Sequence, residues 1–438
     1  MQLTWHQEGI NRIAEHNEFR LLQCLLRRKE ILFQRLDCLS HIQVTELVLR
    51  KLLLQKQTSM QRNGIVPLGT SVQDKNLHTP KIVFFPEIAY LWTMKLSELT
   101  LDREGLAAAI ACEDAAFEAA LREEAYRVKV ATIGPEVYLR GLIEISNICV
   151  KNCLYCGIRR DIKCQRYELQ DDEVLATARI AARRHFGSVV IQGGERTDAA
   201  FIGKITRLIK AIKAIDTGED PPLGITLSLG EQARQVYEEW FHAGAHRYLL
   251  RIESSNPDLY RKIHPADHSY DRRLQALYDL KEIGYQAGTG AMIGLPFQTP
   301  EDMADDLLFY KKFDAPMIGM GPYNPHPETP LTITGAPYPS AERRFALGLK
   351  MIALLRLLMP DINIAAATAL EVLDPRGREK GLLSGANVIM PNITPKEQMI
   401  KYNLYDRKTL NASDVKDLED KGIVIGYSRW GDSKHFKA

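Results

Sequence analysis

The chain has 438 residues, of which 57 are basic and 55 acidic, giving a formal charge of +2 at neutral pH, with 45% hydrophobic and 26% charged residues. That balance creates no global field to recruit nucleic acid or an anionic membrane. No uninterrupted apolar run approaches the roughly 20 residues that a membrane helix requires, so a globular chain handling a small molecule, in one large α/β domain or two ordinary ones, fits best.

Residues 1–93 differ from the remainder. The stretch 21–57 is leucine-rich with interspersed Arg and Lys, reading as a basic amphipathic helix, and 58–81 is polar and irregular. The start lacks the basic region and apolar core of a signal peptide. Seven cysteines, three of them clustered, argue for a reducing compartment and a metal site rather than a disulfide framework, so the cytoplasm is the expected location. Residues 1–93 are expected to form a poorly ordered or non-native extension, the alternative being a partner-binding arm. A regular pattern begins at Met94, which predicts that the functional polypeptide starts there, with 94–137 as a helical lead-in.

From residue 138 onward, β-like runs alternate with helical patterns. The runs are 138–146, 188–193, 224–229, 247–253, 285–293, 317–323, 363–370 and 387–391; the helical segments include 171–185, 231–242, 270–283, 300–313 and 340–358. Eight strands in such alternation predict an α/β (β/α)8 barrel over 138–438, with a C-terminal closing segment. Chemistry then belongs at the carboxyl ends of the strands, where the polar and glycine motifs of this chain fall.

The first of these motifs is the most informative. Cys149, Cys153 and Cys156 follow the first run in the spacing CxxxCxxC. Three thiolates hold only three corners of a cubane 4Fe-4S cluster, because each iron takes one external ligand, and the fourth iron stays open. A helix presenting three cysteines on one face is a weaker reading, since Ser146-Asn147 and Gly157 frame a loop. Structural zinc wants four N/S ligands in paired spacing, and the nearest extra thiol, Cys164, reads as a bystander.

This spacing resembles that of the radical S-adenosylmethionine (SAM) enzymes, in which SAM chelates the open iron and is cleaved to a 5′-deoxyadenosyl radical. Gln192-Gly193-Gly194-Glu195, at the end of the next run, is similar to the glycine-rich GGE of that superfamily, where a β-carbon would obstruct approach to the SAM amino and carboxylate groups. In the same frame, Glu253 is a candidate acceptor for the SAM ribose or amine, and its bland alternative is a rim ion pair with Arg251. Arg273 is a candidate fork for the SAM carboxylate, with Arg272 one residue away. Tyr155 and Ile293 are candidate walls for adenine.

A closer resemblance is to the FeFe-hydrogenase maturase family HydE. It rests on 140–160, 226–231, 247–253, Gly319-Met-Gly-Pro-Tyr-Asn-Pro-His-Pro-Glu-Thr-Pro330 and Gly385-Ala-Asn-Val-Ile-Met-Pro-Asn392, in order across roughly 95–438. The resemblance implies a complete barrel with an internal cavity. The cluster would sit on Cys149, Cys153 and Cys156, and SAM among Gln192, Gly193, Ser228, Glu253 and Arg273. Arg251, Thr368, Tyr402 and Tyr405 would line a substrate cavity, although tyrosines and a threonine also serve as ordinary fillers. It further implies a substrate that is an iron carbonyl-cyanide complex carrying cysteine, the partner maturases HydG and HydF, and an electron donor such as flavodoxin or ferredoxin. Two departures stand out: no cysteine lies between 406 and 432 to hold the accessory surface cluster of some HydE proteins, and Gly193 stands where many relatives have serine. The rival readings are a mutase of the methylornithine synthase type acting on lysine, the more distant biotin synthase, and a non-catalytic iron-sulfur scaffold. A scaffold needs a fourth protein ligand and no SAM shell.

Overall fold

The structure, a computed structural model, describes residues 94–405 and 415–437. The expectations for residues 1–93 lie outside the described residues. Within 94–137, Asp102 and Asp114 cap two helices, α1 (Arg103–Ala111) and α2 (Ala115–Ile133), by accepting backbone N–H groups of their first turns.

The apolar runs then become strands of a parallel barrel. β1 (Val137–Ser146), β2 (Ser188–Gly193), β3 (Gly224–Ser228), β4 (Arg247–Leu249) and β5 (Gln286–Gly288) pair in sequence order, with Leu142 beside Val190, Ile191 beside Leu227, and Tyr248 beside Ala287. Strands covered by helices outside and filled by side chains inside have no wet face, and so read as near-continuous apolar runs. The runs at 285–293 and 317–323 each break in two. β6 (Met292–Ile293) resumes after β5, and β8 (Gly321–Pro322) resumes after β7 (Met317–Ile318). The break comes where the two backbones pass too close for a side chain, since a β-carbon on Gly290 would collide with the Gly319 carbonyl. β9 (Asn363–Ile364) and β10 (Val388–Ile389) complete the set. β5 meets β7 through Thr289 and Ile318, β9 meets β10 through Ala365 and Val388, and β10 pairs β1 at Tyr138. With β7 paired to β9, the ring closes on itself as the expected eight-position barrel.

Two sequence expectations need correction. The strand expected over 363–370 ends early, and Thr368 opens a short helix (Thr368–Leu373) whose Leu370 is fully buried. The run 247–253 is regular only to Leu249, and its end is held to the fifth position by a single bridge between Glu253 and Ala291. The outer helices start where capping chemistry places them. α3 (Asp171–Arg183) has a Gln170/Glu173 capping box, and α4 (Ala199–Lys213), absent from the periodic segments named above, begins at Asp198. α5 (Arg234–Ala243), α6 (Pro257–Ile263), α7 (Tyr270–Ile283), α8 (Pro300–Phe313) and α9 (Ala341–Leu358) follow, the last three capped by Ser269, Thr299 and Ser340.

The C-terminal segment seals the barrel floor. Ile425 pairs with Val137, and residues 430–433 then cross beneath the strands. The Gly431 carbonyl accepts from Arg140 at 3.1 Å and Asn363 at 2.7 Å, Asp432 pairs with buried Arg247, and Ser433 N–H reaches Gln286 Oε1 at 3.1 Å. These partners come from the first, fourth, fifth and seventh barrel positions. A β-carbon on Gly187 would overlap the Arg429 carbonyl of this segment. Gly187→Ala should therefore displace it and cost about 1–3 kcal/mol, the usual penalty of overpacking. Thermal melting and limited proteolysis of residues 425–437 check this, and an unchanged melt with a protected tail would contradict it.

Candidate functional site

The three cysteines lie on the loop that leaves β1 at the carboxyl end of the barrel. Three backbone N–H groups of that loop are pinned to other barrel loops: Val150 to Glu195 O, Leu154 to Ile263 O, and Gly157 to Leu404 O, at 2.8–3.1 Å. Arg166 grips it from outside. Its guanidinium donates to the carbonyls of Asn147, Ile158, Arg159, Arg160 and Ile162 at 2.6–3.2 Å, consuming loop acceptors that no ladder satisfies. Gly194 lies against the loop so closely that a β-carbon would come 2.8 Å from Cys149 Cβ and collide with the Ile148 carbonyl.

Burial raises the pKa of Cys149 and Cys153 and pushes that of Cys156 up to about 12. The thiols thus occupy a water-poor pocket where deprotonation needs a bound cation. Cys164 is exposed, as a bystander would be. The donor set of three half-buried thiols, backed by a glycine contact and a carbonyl clamp, fits a 4Fe-4S cluster with one iron left for a further ligand. Beside it, His264 and His268 bring ring nitrogens within 4.8 Å of the Cys153 thiol.

Around this loop runs a chain of buried charge. Lys151, between the first two cysteines, lies 3.4 Å from Glu195 and 3.3 Å from Glu231. Glu231 also receives Arg273 Nε at 2.5 Å, and its backbone N–H donates to Glu195 Oε2 at 2.8 Å. Burial opposes ionisation of Glu231, but the charges of Arg273 and Lys151 outweigh it and hold the carboxyl below its usual range; burial dominates at Glu195, whose carboxyl is raised. Glu195 is therefore spent on tying the β2 loop to the β3 loop. Arg273 is buried and also donates to the Arg251 carbonyl at 2.6 Å, whereas the Arg272 side chain is 67% exposed, which distinguishes the two neighbours.

The other candidates fall on the same barrel mouth. Gln192 is the register partner of Ser228, which ends β3, and Gly193 ends β2. Ile293 is buried in β6. Tyr155 turns its hydroxyl to His264 Nε2 at 3.3 Å and packs with Leu154 on an apolar cluster that includes Leu259, Met292 and Tyr323. Glu253 adopts φ +66°, a left-handed conformation costly for a residue with a β-carbon. Its neighbours hold it there: Ser255 N–H donates to buried Asp306 at 2.6 Å, and Asn256 donates to Asp302 at 2.7 Å.

Deeper in the barrel, Arg251 lies 3.0 Å from Glu253, close enough for charge attraction but misaligned for a hydrogen bond, so Nε and that terminal nitrogen stay buried without a hydrogen-bond partner. Tyr402 is buried and accepts from Gln192 Nε2 at 3.4 Å. Thr368 accepts from Arg378 at 3.0 Å, and Arg378 pairs with Glu371 at the same distance. Tyr405 feels the charges of Glu144, Arg378 and Arg251, although burial dominates the rise in its pKa. The four expected cavity residues are thus linked through neighbours. Arg378, Glu371, Glu144, Lys151, Glu231 and Arg166 escaped the sequence reading. Glu144, Lys151 and Glu231 carried a signal, by lying inside quoted motifs, whereas Arg166 and Arg378 lie outside every strand run and motif named.

Two outcomes are expected. Arg166→Ala frees five loop carbonyls and should lower the iron and sulfide retained after anaerobic reconstitution by several-fold with little change in melting temperature, as metal analysis beside calorimetry would show. Asp306, raised by burial to about 7 against an ordinary 3.8, is held neutral in the fold. Its stabilising contribution is complete below about pH 4 and is lost as pH rises to about 7, because there the unfolded chain has released a proton the native state retains. Asp306→Asn should flatten that part of a stability-versus-pH curve, and an unaltered slope would contradict the assignment.

Among the described residues, no helix is long and apolar enough to cross a membrane. Residues 143–310 match the Radical SAM superfamily. The chain is 45% identical over 318 residues to the FeFe hydrogenase maturase subunit HydE of Thermotoga maritima, covering 72% of this chain and 86% of that protein. It is 25% identical over 304 residues to the 3-methylornithine synthase of Methanosarcina acetivorans, covering 68% and 83%. In fold it is similar to a solved methylornithine synthase, with TM-score 0.64, 24% identity and coverage of 75% and 95%. A solved HydG, a maturase of the FeFe-hydrogenase, gives TM-score 0.63, 21% identity and coverage of 74% and 72%. With the cysteine loop, the closed barrel and this level of identity, the chain belongs to the HydE family of radical SAM enzymes, which use a 4Fe-4S cluster and SAM.

Proposed function

We propose that this enzyme acts in assembly of the diiron subcluster of FeFe-hydrogenase, on an iron carbonyl-cyanide complex that carries cysteine, together with the maturases HydG and HydF. The observation that carries the substrate reading is Arg251, whose guanidinium Nε is buried without a hydrogen-bond partner. An unpaired buried donor is costly and is best repaid by an anionic ligand. A lysine mutase would instead need a carboxylate free to receive the substrate's ammonium. Of the carboxylates here, Glu371 is paired with Arg378, Glu231 with Arg273 and Lys151, and Glu253 with Arg251.

Cys149, Cys153 and Cys156 hold the cluster in this reading. When bound, the cluster would supply the electron for reductive cleavage of SAM. Arg273 presents its remaining donor edge to the SAM carboxylate. Gln192, Ser228 and Glu253 offer hydrogen bonds to its polar groups, and the bare backbone of Gly193 and Gly194 permits close approach. Tyr155 and Ile293 give the adenine an apolar wall. Arg251, Thr368, Tyr402 and Tyr405 orient the substrate below, and the sealed floor excludes water that would quench a radical. The electron arrives from a flavodoxin- or ferredoxin-type donor.

Anaerobic incubation with SAM, reductant and the iron–cysteine complex should consume the complex and release 5′-deoxyadenosine, while lysine in its place should not; turnover of lysine alone would favour the mutase. Cys153→Ala should abolish both cluster assembly and hydrogenase maturation. Tyr405→Phe should leave SAM affinity unchanged and slow turnover about tenfold, the worth of one hydrogen bond to a charged group. Weakened SAM binding in that variant would place Tyr405 in the wrong pocket.

A further inference from the structure

We propose that His268 is a hydrogen-bond donor to the Cys153 sulfur and sets the reduction potential of the bound cluster. The inference rests on Cys149, Cys153 and Cys156 being the cluster ligands. His268 lies between α6 and α7, with its side chain only 3% exposed. Its Nδ1 is 3.8 Å from Cys153 Sγ, within hydrogen-bonding reach of sulfur, and its Nε2 accepts the backbone N–H of Asn152 at 3.5 Å. A neutral imidazole carries one proton. With Nε2 accepting, that proton resides on Nδ1 and points at the thiolate.

The surroundings fix the ring. A turn closed by His268 N–H to the Pro265 carbonyl at 3.0 Å leads directly into the Ser269 cap of α7, so the segment has little freedom. The neighbouring His264 cannot substitute: its Nδ1 is committed to the Tyr260 carbonyl at 2.9 Å, its ring stacks on Tyr260 at 3.9 Å, and its Nε2 faces the Tyr155 hydroxyl. Leu154 N–H bonds the Ile263 carbonyl, so the end of α6, just before the histidines, is tied to the loop that carries the thiols. Charges that act on His268 are those of Lys151 and Arg273, of Glu231 paired with both, and of Asp267, whose carboxylate lies 3.8 Å from Nε2.

Hydrogen bonds to cluster sulfurs raise the potential, because they stabilise the reduced, more negative state more than the oxidised one. The site needs such help, since the thiols occupy a desolvated pocket that disfavours adding an electron. α7 thereby serves two ligands at once, His268 toward a thiolate at its start and Arg273 toward SAM one turn later.

The test uses the full chain, reconstituted anaerobically, as wild type, His268→Phe and His268→Gln. Phe keeps a ring without a donor, and Gln restores an N–H. Iron and sulfide content with thermal melting report loading and folding, and an EPR-monitored titration reports the midpoint. His268→Phe should load normally and show about a tenfold smaller ratio of reduced to oxidised cluster at fixed poise, which is 59 mV for a one-electron couple, with His268→Gln recovering at least half of the shift. A second readout is pulsed EPR of the reduced cluster in protein carrying 15N-histidine, where wild type should show a nitrogen coupling that His268→Gln lacks. An unchanged midpoint in loaded His268→Phe overturns the proposal. Should that variant fail to load, absence of the histidine coupling in wild type overturns it. Failure of the underlying ligand assignment looks different: Cys153→Ala would then retain a normal cluster.

Discussion

The site depends on keeping four buried charges in register. Lys151 and Arg273 bridge Glu195 and Glu231, and these four residues belong to the cysteine loop, the helix after the fourth strand, and the loops after the second and third. Each charge alone would be expensive to bury, and removing one partner of such a set leaves another uncompensated at roughly 3–5 kcal/mol. The network therefore works as a geometric constraint more than as a source of stability. It fixes how far the thiols stand from the place where SAM must enter, and it does so with side chains that cannot relax independently.

The same constraint explains why the glycines lie where they do. Glu195 can reach the Glu231 N–H only because Gly230, at φ +76°, gives way: a β-carbon there would run into the Glu195 carboxylate. Gly194 is likewise bare because the cysteine loop passes directly over it. The GGE motif is thus read in two ways at once. Its glycines admit close backbone approach, and its glutamate locks the loops that make that approach reproducible.

Much of this was legible in the sequence because the barrel repeats. Burial on both faces gives each strand a continuous apolar run, and Ser188–Gly193, Tyr270–Ile283 and Pro300–Phe313 fall where pattern and caps put them. Legibility failed where tertiary contact overrode local preference. The break between β5 and β6 comes from two backbones crossing, which no single segment announces. Thr368 reads as the end of a strand because Ala-Ala-Thr-Ala-Leu is apolar enough for either structure; its helix follows from packing of Leu370 against the barrel. In the site, the cysteines were visible because spacing alone encodes their chemistry. Arg166 and Arg378 were not, because a single arginine has no pattern, and its role appears only when distant carbonyls or a threonine converge on it.

The least regular backbone coincides with the polar mouth, and the most regular with the sealed floor. At the floor, Arg140, Arg247 and Asn363 donate to the C-terminal segment and Gln286 accepts the Ser433 N–H, so four barrel positions are hydrogen-bonded to that segment. At the mouth, Glu253 is held in a strained conformation, Arg251 keeps unspent donors, and Asp306 is kept neutral by burial. A strained backbone such as that of Glu253 persists only where surrounding structure over-determines it. One end of the barrel therefore holds the fold shut, and the stability it contributes permits the other end to remain incomplete until its cofactor and substrate arrive.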